Sequence, residues 1–577
     1  MKTNKIQYII LGIIALCSVQ CTDLTEKTYD IITTETFYQS EENIIQAFVR
    51  PFEHAYWTCA RSNQYAGEST ADHFITPKRD GSHFYDGGIF FRMHYHTWTI
   101  DDPVLNGWND YLQGAGYVNS FIQDMENLSS NIPVDQAIID NYVAQARGLR
   151  AWFYLRLLDQ FRNVPIITTV GGTDLPEQAE PKETFDFIEK EILEILPYLN
   201  TKSGTQGNGN QQGEWTKATA AMTLVRLYLN AELWVGENRL DDCATYCKKI
   251  IDGEYGHYEI DERWDAPFDW DNQNSKEIIY AFTSSYGGTH WIYSAEGLLE
   301  VGPFNCSEYF NSEWNTFTRF GLSPSLDLQG NEYPYELGKP VAKFKKYPDD
   351  IRLKKYKNLG NSRREGMFLY GYLENNRAGE GYVKNWPGEY DIYIRDQVGH
   401  FRDTDPSSIS PNPTDPDGKY ETKISSLEYA DESSGWYVVK YPIYPKGETG
   451  AYEADYAVFR LAEAYYSLAE VYYRKGNNAE AAKLLNTVRK RYYPEGSSSL
   501  YNEDGSQITK QEMLDEWGRE FIAESLRRTV LCRFGEFTSA WWDKPADPDN
   551  HTMIFPLSRS VMQSNSKLVQ NPGYPAL

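Results

Sequence analysis

The stretch from Asp135 to Thr168, DQAIIDNYVAQARGLRAWFYLRLLDQFRNVPIIT, constrains the chain most. Ile138, Tyr142, Ala146, Leu149, Phe153, Leu157 and Phe161 recur every three or four residues, which places them on one face of a long helix. Asp135 reads as its N-cap, and Pro165 ends the pattern. Arg147 and Arg150 lie beside the apolar face. Arginines there usually satisfy carboxylates inside a fold, and Glu463, Glu470 and Glu520 are candidate partners. A helix of this length needs other helices to cover it.

Those helices are legible. Ser40 opens SEENIIQAFVRPFEHAYW, with Ile44, Ile45, Phe48 and Phe52 on one face, and residues 109–127 return to helix. Another helix covers 181–199. Two later pairs resemble each other: LVRLYLNAELWVGENRLDDCATYCKKII and LAEAYYSLAEVYYRKGNNAEAAKLLNTVRK. Each has a turn glycine, Gly236 or Gly476, and small residues where the helices cross, which is the tetratricopeptide pattern. Residues 40–58 with 109–127, and the long helix with 183–199, read as more divergent pairs. Tyr456–Arg474 is read as the first helix of the last pair, and Thr509 with Glu512 forms a capping box.

From Glu68 to Trp108 the helical pattern vanishes. The Gly, Pro, Asp and many rings there read as a long ordered loop, a kind of segment that often carries function. Residues 255–357 are mixed, with β-like runs such as EIIYAF, and residues 402–420 read as a surface insertion.

Composition narrows the function. A net charge of -26 disfavours nucleic acid, which needs a basic surface. An aromatic share of 15%, with 44 Tyr and 15 Trp, suggests rings that meet a ligand as well as rings between helices. Lys2 and Lys5 precede an apolar run from Ile9 to Leu16, too short to span a membrane. Cys17 and Cys21 follow it, and Cys21 reads as a lipid acceptor, although Ser18 and Gln20 depart from the usual pattern before such a cysteine; Cys17, preceded by Leu16, fits it worse. An ordinary cleaved signal peptide is the alternative. Five further cysteines form no even framework, and Cys243 and Cys247, one turn apart, read as small core residues.

No catalytic motif is present: neither H-E-x-x-H, nor G-x-S-x-G, nor a P-loop. His94 and His96 lack an evident third ligand, and Asp415-Pro-Asp417-Gly418 fails the EF-hand spacing, so neither a metal nor a cofactor is expected.

Taken together, AQARGLRAWFYLRLLDQFRNVPII, YAVFRLAEAYYSLAEVYYRKGN, EWGREFIAESLRR and MIFPLSRSVMQSNSKLVQNPGY resemble the ordered motifs of the SusD/RagB family of outer-membrane nutrient-binding lipoproteins. The sequence departs from them at Gly148, where a bulky residue is usual, at Ser525-Leu526 in place of Gly-His, and at Val530 in place of Asp. The resemblance implies a mainly α, tetratricopeptide-like scaffold with long irregular loops and minor β. It implies a signal peptide over 1–20, a tether over 21–39 and one domain over 40–577, with aromatic-rich ligand-binding loops at 68–108 and 255–450. It further implies lipid anchoring at the outer cell surface, glycan capture without chemistry, and a SusC-like TonB-dependent transporter as partner. Peptide capture is the nearest alternative. A secreted glycan hydrolase is a more distant one, because a carboxylate pair could hide among 82 acidic residues.

Sugar C–H faces stack on rings, while planar polar side chains take the hydroxyls. The segment PKRDGSHFYDGG…HYHTWT resembles the family's ligand-lining stretch, which makes Trp98 the expected stacking platform and Asp72, Arg79 and Asp101 the polar contacts. FNSEWNTF resembles a second such segment and adds Trp314, with Trp291 and Tyr286 beside it.

Overall fold

The computed structural model describes residues 37–576 except 59–64, 80–85, 103–106, 129–131, 133, 173, 203, 205–211, 285–301, 313–314, 317–318, 361–362, 376–378, 380, 403–406, 409–423, 444–445 and 447–453. The expected signal peptide, Cys21, most of the expected tether, and Asp415–Gly418 lie outside the described residues.

Helices dominate. The scaffold is built from α1 (Glu41–Thr58), α2 (Gly107–Glu126), α3 (Gln136–Phe161), α4 (Pro181–Ile195), α5 (Lys217–Leu229) and α6 (Leu240–Ile251). Further along are the short α7 (Pro340–Lys345), then α8 (Leu461–Arg474), α9 (Asn478–Arg489), α10 (Lys510–Glu520) and α11 (Arg527–Phe534). Neighbours in this series pack on one another, α1 on α2, α2 on α3, α3 on α4 and α5 on α6. α6 then packs on α8, and α8 on α9. The helix pairs read from the sequence therefore stack as successive layers, burying apolar faces that no single pair could cover. Gly236 and Gly476 end their helical turns at φ 71° and 76°, the left-handed region that favours glycine. No helix of the described residues is long and apolar enough to cross a membrane.

The spine is α3. Asp135 caps it by accepting a hydrogen bond from the Ala137 N–H at 3.0 Å. The helix stops at Arg162, whose φ is 62°, before Pro165 rather than at it. Its burial is broader than one face: from Ala144 onward nearly every side chain is enclosed, whereas Ile138 is exposed. Coverage by α2 and α4 on different sides explains why a one-sided pattern understated it. Gly148 is needed for packing. A Cβ there would lie 2.4 Å from Trp215 Nε1, so an indole fills the place where a bulky side chain was expected.

Three further expectations change. Arg147 and Arg150 pair with Glu191 of α4 at 2.6 Å each, and Arg147 also with Glu194. They do not reach Glu463, Glu470 or Glu520, which pair with Arg226, Arg533 and Arg460 instead. Tyr456–Arg460 is strand β10, not helix, and pairs antiparallel with β2 (Ile278–Phe282), the EIIYAF run. The alternating YAVFR pattern favours a strand there. Finally, Thr509 caps α10 by accepting from the Glu512 N–H at 3.1 Å, but the Glu512 side chain turns inward to Tyr501 and Arg519 and closes no box. Cys243 and Cys247 are buried free thiols, as small core residues would be.

The remaining strands are short. β1 (Phe74–Ile75) pairs with β3 (Gly321–Leu322), and β4 (Lys357–Asn358) with β5 (Arg364–Glu365). β6 (Phe368–Leu369) pairs with β9 (Tyr437–Val438), and β7 (Gly371–Tyr372) with β8 (Tyr393–Ile394). Together with isolated bridges at Glu374–Tyr382, Lys384–Asp391 and Arg395–Ser434, β4 to β9 build a β-rich lobe over residues 355–395 and 426–443.

Candidate functional site

Among the described residues of the 68–108 segment there is a short helix, Ile89–His94, and Phe74, Phe90, Phe91, Trp98 and Trp108 are buried. Trp98 is buried, packs edge-on against Phe555 at 5.1 Å and donates from Nε1 to the Tyr574 hydroxyl at 2.8 Å. Asp72 is fully buried and accepts from Arg527 Nε and Nη2 at 2.7 and 2.8 Å. Burial acts to raise its pKa, yet the Arg527 guanidinium holds the carboxyl well below the usual range. Arg79 is buried and donates to the Ser434 carbonyl at 3.1 Å, with its guanidinium 5.5 Å from the Tyr437 ring centre. Asp101 is exposed but held by Arg559 at 2.7 and 2.9 Å.

His94 hydrogen-bonds the Trp542 carbonyl at 3.1 Å, and His96 bridges Asp547 and the Thr70 carbonyl at 2.6 and 2.9 Å. Most of these contacts run to residues 527–574, so the segment ties the C-terminal stretch to the scaffold. Asp72, Arg79 and the Trp98 ring are engaged inside the fold, whereas Asp101 lies at the surface, paired with Arg559. Trp314, Trp291 and Tyr286 lie outside the described residues.

Exposed rings converge instead on the β-lobe. The chain GYLENN…GYVKNWPGEYDIYI alternates aromatic and polar residues between turn formers. Tyr372, on β7, stacks face to face on Tyr382, with ring centres 4.1 Å apart and planes 12° apart. Tyr393 of β8 closes one edge at 4.9 Å. The bridge between Glu374 and Tyr382 holds the two strands of this pair together. Tyr382 is 37% exposed, as is Trp386, which stands on the next turn.

That turn is rigidly made. The Gly388 N–H donates to the Asn385 carbonyl at 2.8 Å, and Gly388 has φ 78°. Asn305 Nδ2 donates to the Lys384 and Asn385 carbonyls at 3.2 and 2.7 Å. The Trp386 N–H donates to buried Glu432 at 2.7 Å. Phe304 meets Trp386 edge-on at 3.7 Å. Two half-open aromatic faces are thus fixed in place, bordered by the exposed Lys384–Asp391 pair and by exposed Glu374. Large rings left in water on a pinned turn mark an interaction surface. This arrangement can stack on apolar faces and hydrogen-bond hydroxyls. Phe304 and Asn305 lie just before the second segment singled out in the sequence, FNSEWNTF at 310–317, and the lobe falls within the 255–450 stretch. Nothing in the sequence singles out these rings, because their exposure follows from strand register and from the turn at 385–388.

The fold and the sequence motifs can be set against known proteins. A profile of the SusD family matches residues 418–574. Starch-binding protein SusD of Bacteroides thetaiotaomicron is 25% identical over 451 residues, 75% of this chain and 72% of its own. A solved laminarin-binding SusD-like protein superposes with a TM-score of 0.64 at 18% identity, over 93% of this chain and 100% of its own. A SusD superfamily protein from Bacteroides fragilis does so with a TM-score of 0.66 at 17% identity, over 93% and 100%. The C-terminal part of the chain thus carries the SusD-family pattern, and the fold of the chain is SusD-like. Where these SusD/RagB relatives are named for an activity, it is binding and not catalysis.

Proposed function

We propose that this SusD-like protein binds oligo- or polysaccharide on the aromatic surface of the β-lobe. The observation that carries the reading is the pair of pinned, half-exposed rings, Tyr382 and Trp386. Relatives named for starch and laminarin binding support a glycan over a peptide. In the same proposal, residues 1–20 are a signal peptide, Cys21 carries the lipid that anchors the chain at the outer cell surface, and residues 21–39 are the tether. The glycan is then passed to a SusC-like TonB-dependent transporter. Trp314, Trp291 and Tyr286 belong to the same proposal, since they flank Phe304 and Asn305 in the sequence.

Affinity electrophoresis in gels containing starch or laminarin tests the site. Retardation of the wild type that is lost in Tyr382→Ala and Trp386→Ala supports it. Reducing ends released from those polysaccharides would replace binding with hydrolysis. Co-purification with a TonB-dependent barrel from outer membranes, lost on Cys21→Ala, tests the anchor and the partner.

A further inference from the structure

A cleft of about 500 Å³ opens beside α7, between that helix and the 325–336 loop. Its volume is within the roughly 300–1,000 Å³ of ligand clefts. Its lining is rich in lysine, which is unusual for a chain with a net charge of -26. Most of those ammonium groups are already matched. Lys339 pairs with Glu332 at 2.9 Å, Lys343 with Asp515 at 2.7 Å, and Lys346 with Glu512. Lys345 is different. It is exposed, and among the described residues no carboxylate lies within ion-pair distance of it. Its ammonium rests 4.7 Å from the Trp436 ring centre. Opposite charge comes from Asp396, which is buried in the cleft wall and accepts a hydrogen bond from the Ser325 N–H at 2.9 Å.

We propose that this cleft is a second ligand site, taking an acidic sugar unit whose carboxylate pairs with Lys345 while Asp396 hydrogen-bonds a hydroxyl. An ammonium with no carboxylate partner, beside paired lysines, is the place where a ligand anion gains most and displaces least. Trp436 also stacks on Tyr370 at 4.3 Å, and Tyr370 lies one residue before β7. Tyr370 thus links the Trp436 ring, beneath Lys345, to the strand that carries Tyr372.

The cleft also has a pH dependence. Burial pushes the Asp396 carboxyl up to about 7, against the Ser325 N–H and Lys345, which lower it, and with Glu332, which raises it. Lys339, Lys343, Lys346, Glu336 and Asp515 line the remainder. Below pH 7 Asp396 is protonated and tolerates an incoming carboxylate; above it, two negative charges oppose each other.

The proposal stands apart from the glycan reading of the β-lobe, which neutral polysaccharides test separately. Calorimetric titration of the full mature chain with digalacturonate, its methyl ester and inorganic sulfate decides it. Digalacturonate is expected to bind at pH 6, more weakly at pH 8, and at least tenfold more weakly in Lys345→Met at unchanged melting temperature. Asp396→Asn is expected to remove the difference between pH 6 and pH 8. Equal affinity for acid and ester, or for sulfate, would overturn it. So would loss of binding in Trp386→Ala with none in Lys345→Met, which would place the contact on the aromatic surface.

Discussion

Ser525 stands where the family motif has glycine, and its backbone shows why that matters. Its φ is 60°, in the left-handed region, and its hydroxyl is buried without a hydrogen-bond partner. Its N–H donates to buried Glu68 at 2.7 Å, which fixes the conformation. Ser525→Gly relieves both the strain and the orphan hydroxyl, offset by the extra freedom of glycine in the unfolded chain. A gain of about 0.5–1 kcal/mol is expected, read as a rise in denaturant midpoint. Gly148 makes the opposite case. Any side chain there meets the Trp215 indole, and Gly148→Leu is expected to cost about 1–3 kcal/mol or more, as overpacking does. Both residues are visible in the sequence as departures from a motif. What the sequence withheld was the neighbour: Trp215 is 67 positions away from Gly148, and Glu68 is at the other end of the chain from Ser525.

At the scale of elements, the charged residues of the recognised motifs are internal ties. Arg460, which precedes α8, reaches Glu277 of the 278–282 strand region, Glu520 of α10 and Glu524 at 2.6, 3.1 and 2.8 Å. Arg491, just past α9, joins Glu277 and Glu520, and Tyr492 donates to Glu520. The side chains of Arg460, Arg491, Glu277 and Glu520 are each 2% exposed or less, so removing one strands the others. Arg460→Met is expected to cost about 3–5 kcal/mol in equilibrium unfolding.

The same network sets an acid limit. Burial pushes the Glu520 carboxyl up, but Arg491, Arg460 and Arg352 overcome it and hold the pKa at about 2. The folded value lies below the unfolded one, so Glu520 contributes its stabilisation above pH ~4.3, and loses it as pH falls through about 2. Acid unfolding followed by circular dichroism is expected to fall in that window and to move to higher pH in Arg491→Met. Helix pairing was legible because small residues and period-3.6 patterns repeat. The 68–108 segment was not, because composition alone does not separate a loop facing solvent from one folded inward. Trp98 decides this point. Its truncation to alanine is expected to cost about 3–5 kcal/mol of stability and to leave glycan affinity unchanged.

For the whole molecule, the helical layers and the β-lobe divide the work. Apolar faces stacked from α1 to α9 give a rigid body, and the buried ion pairs lock α10 and β10 into it. The β-lobe, by contrast, leaves rings half in water on a turn held from beneath by Asn305 and Glu432. The fold was readable from four ordered motifs. The binding surface was only bracketed, because exposure depends on strand register, and a one-residue shift would turn Tyr382 inward.

The central claim is that Tyr382 and Trp386 hold glycan. Affinity electrophoresis on starch and laminarin with the Tyr382→Ala/Trp386→Ala double variant tests it most directly. The account predicts at least a tenfold loss of affinity, about 1.4 kcal/mol or more, for whichever polysaccharide retards the wild type, at unchanged melting temperature. Undiminished retardation of the double variant would contradict it.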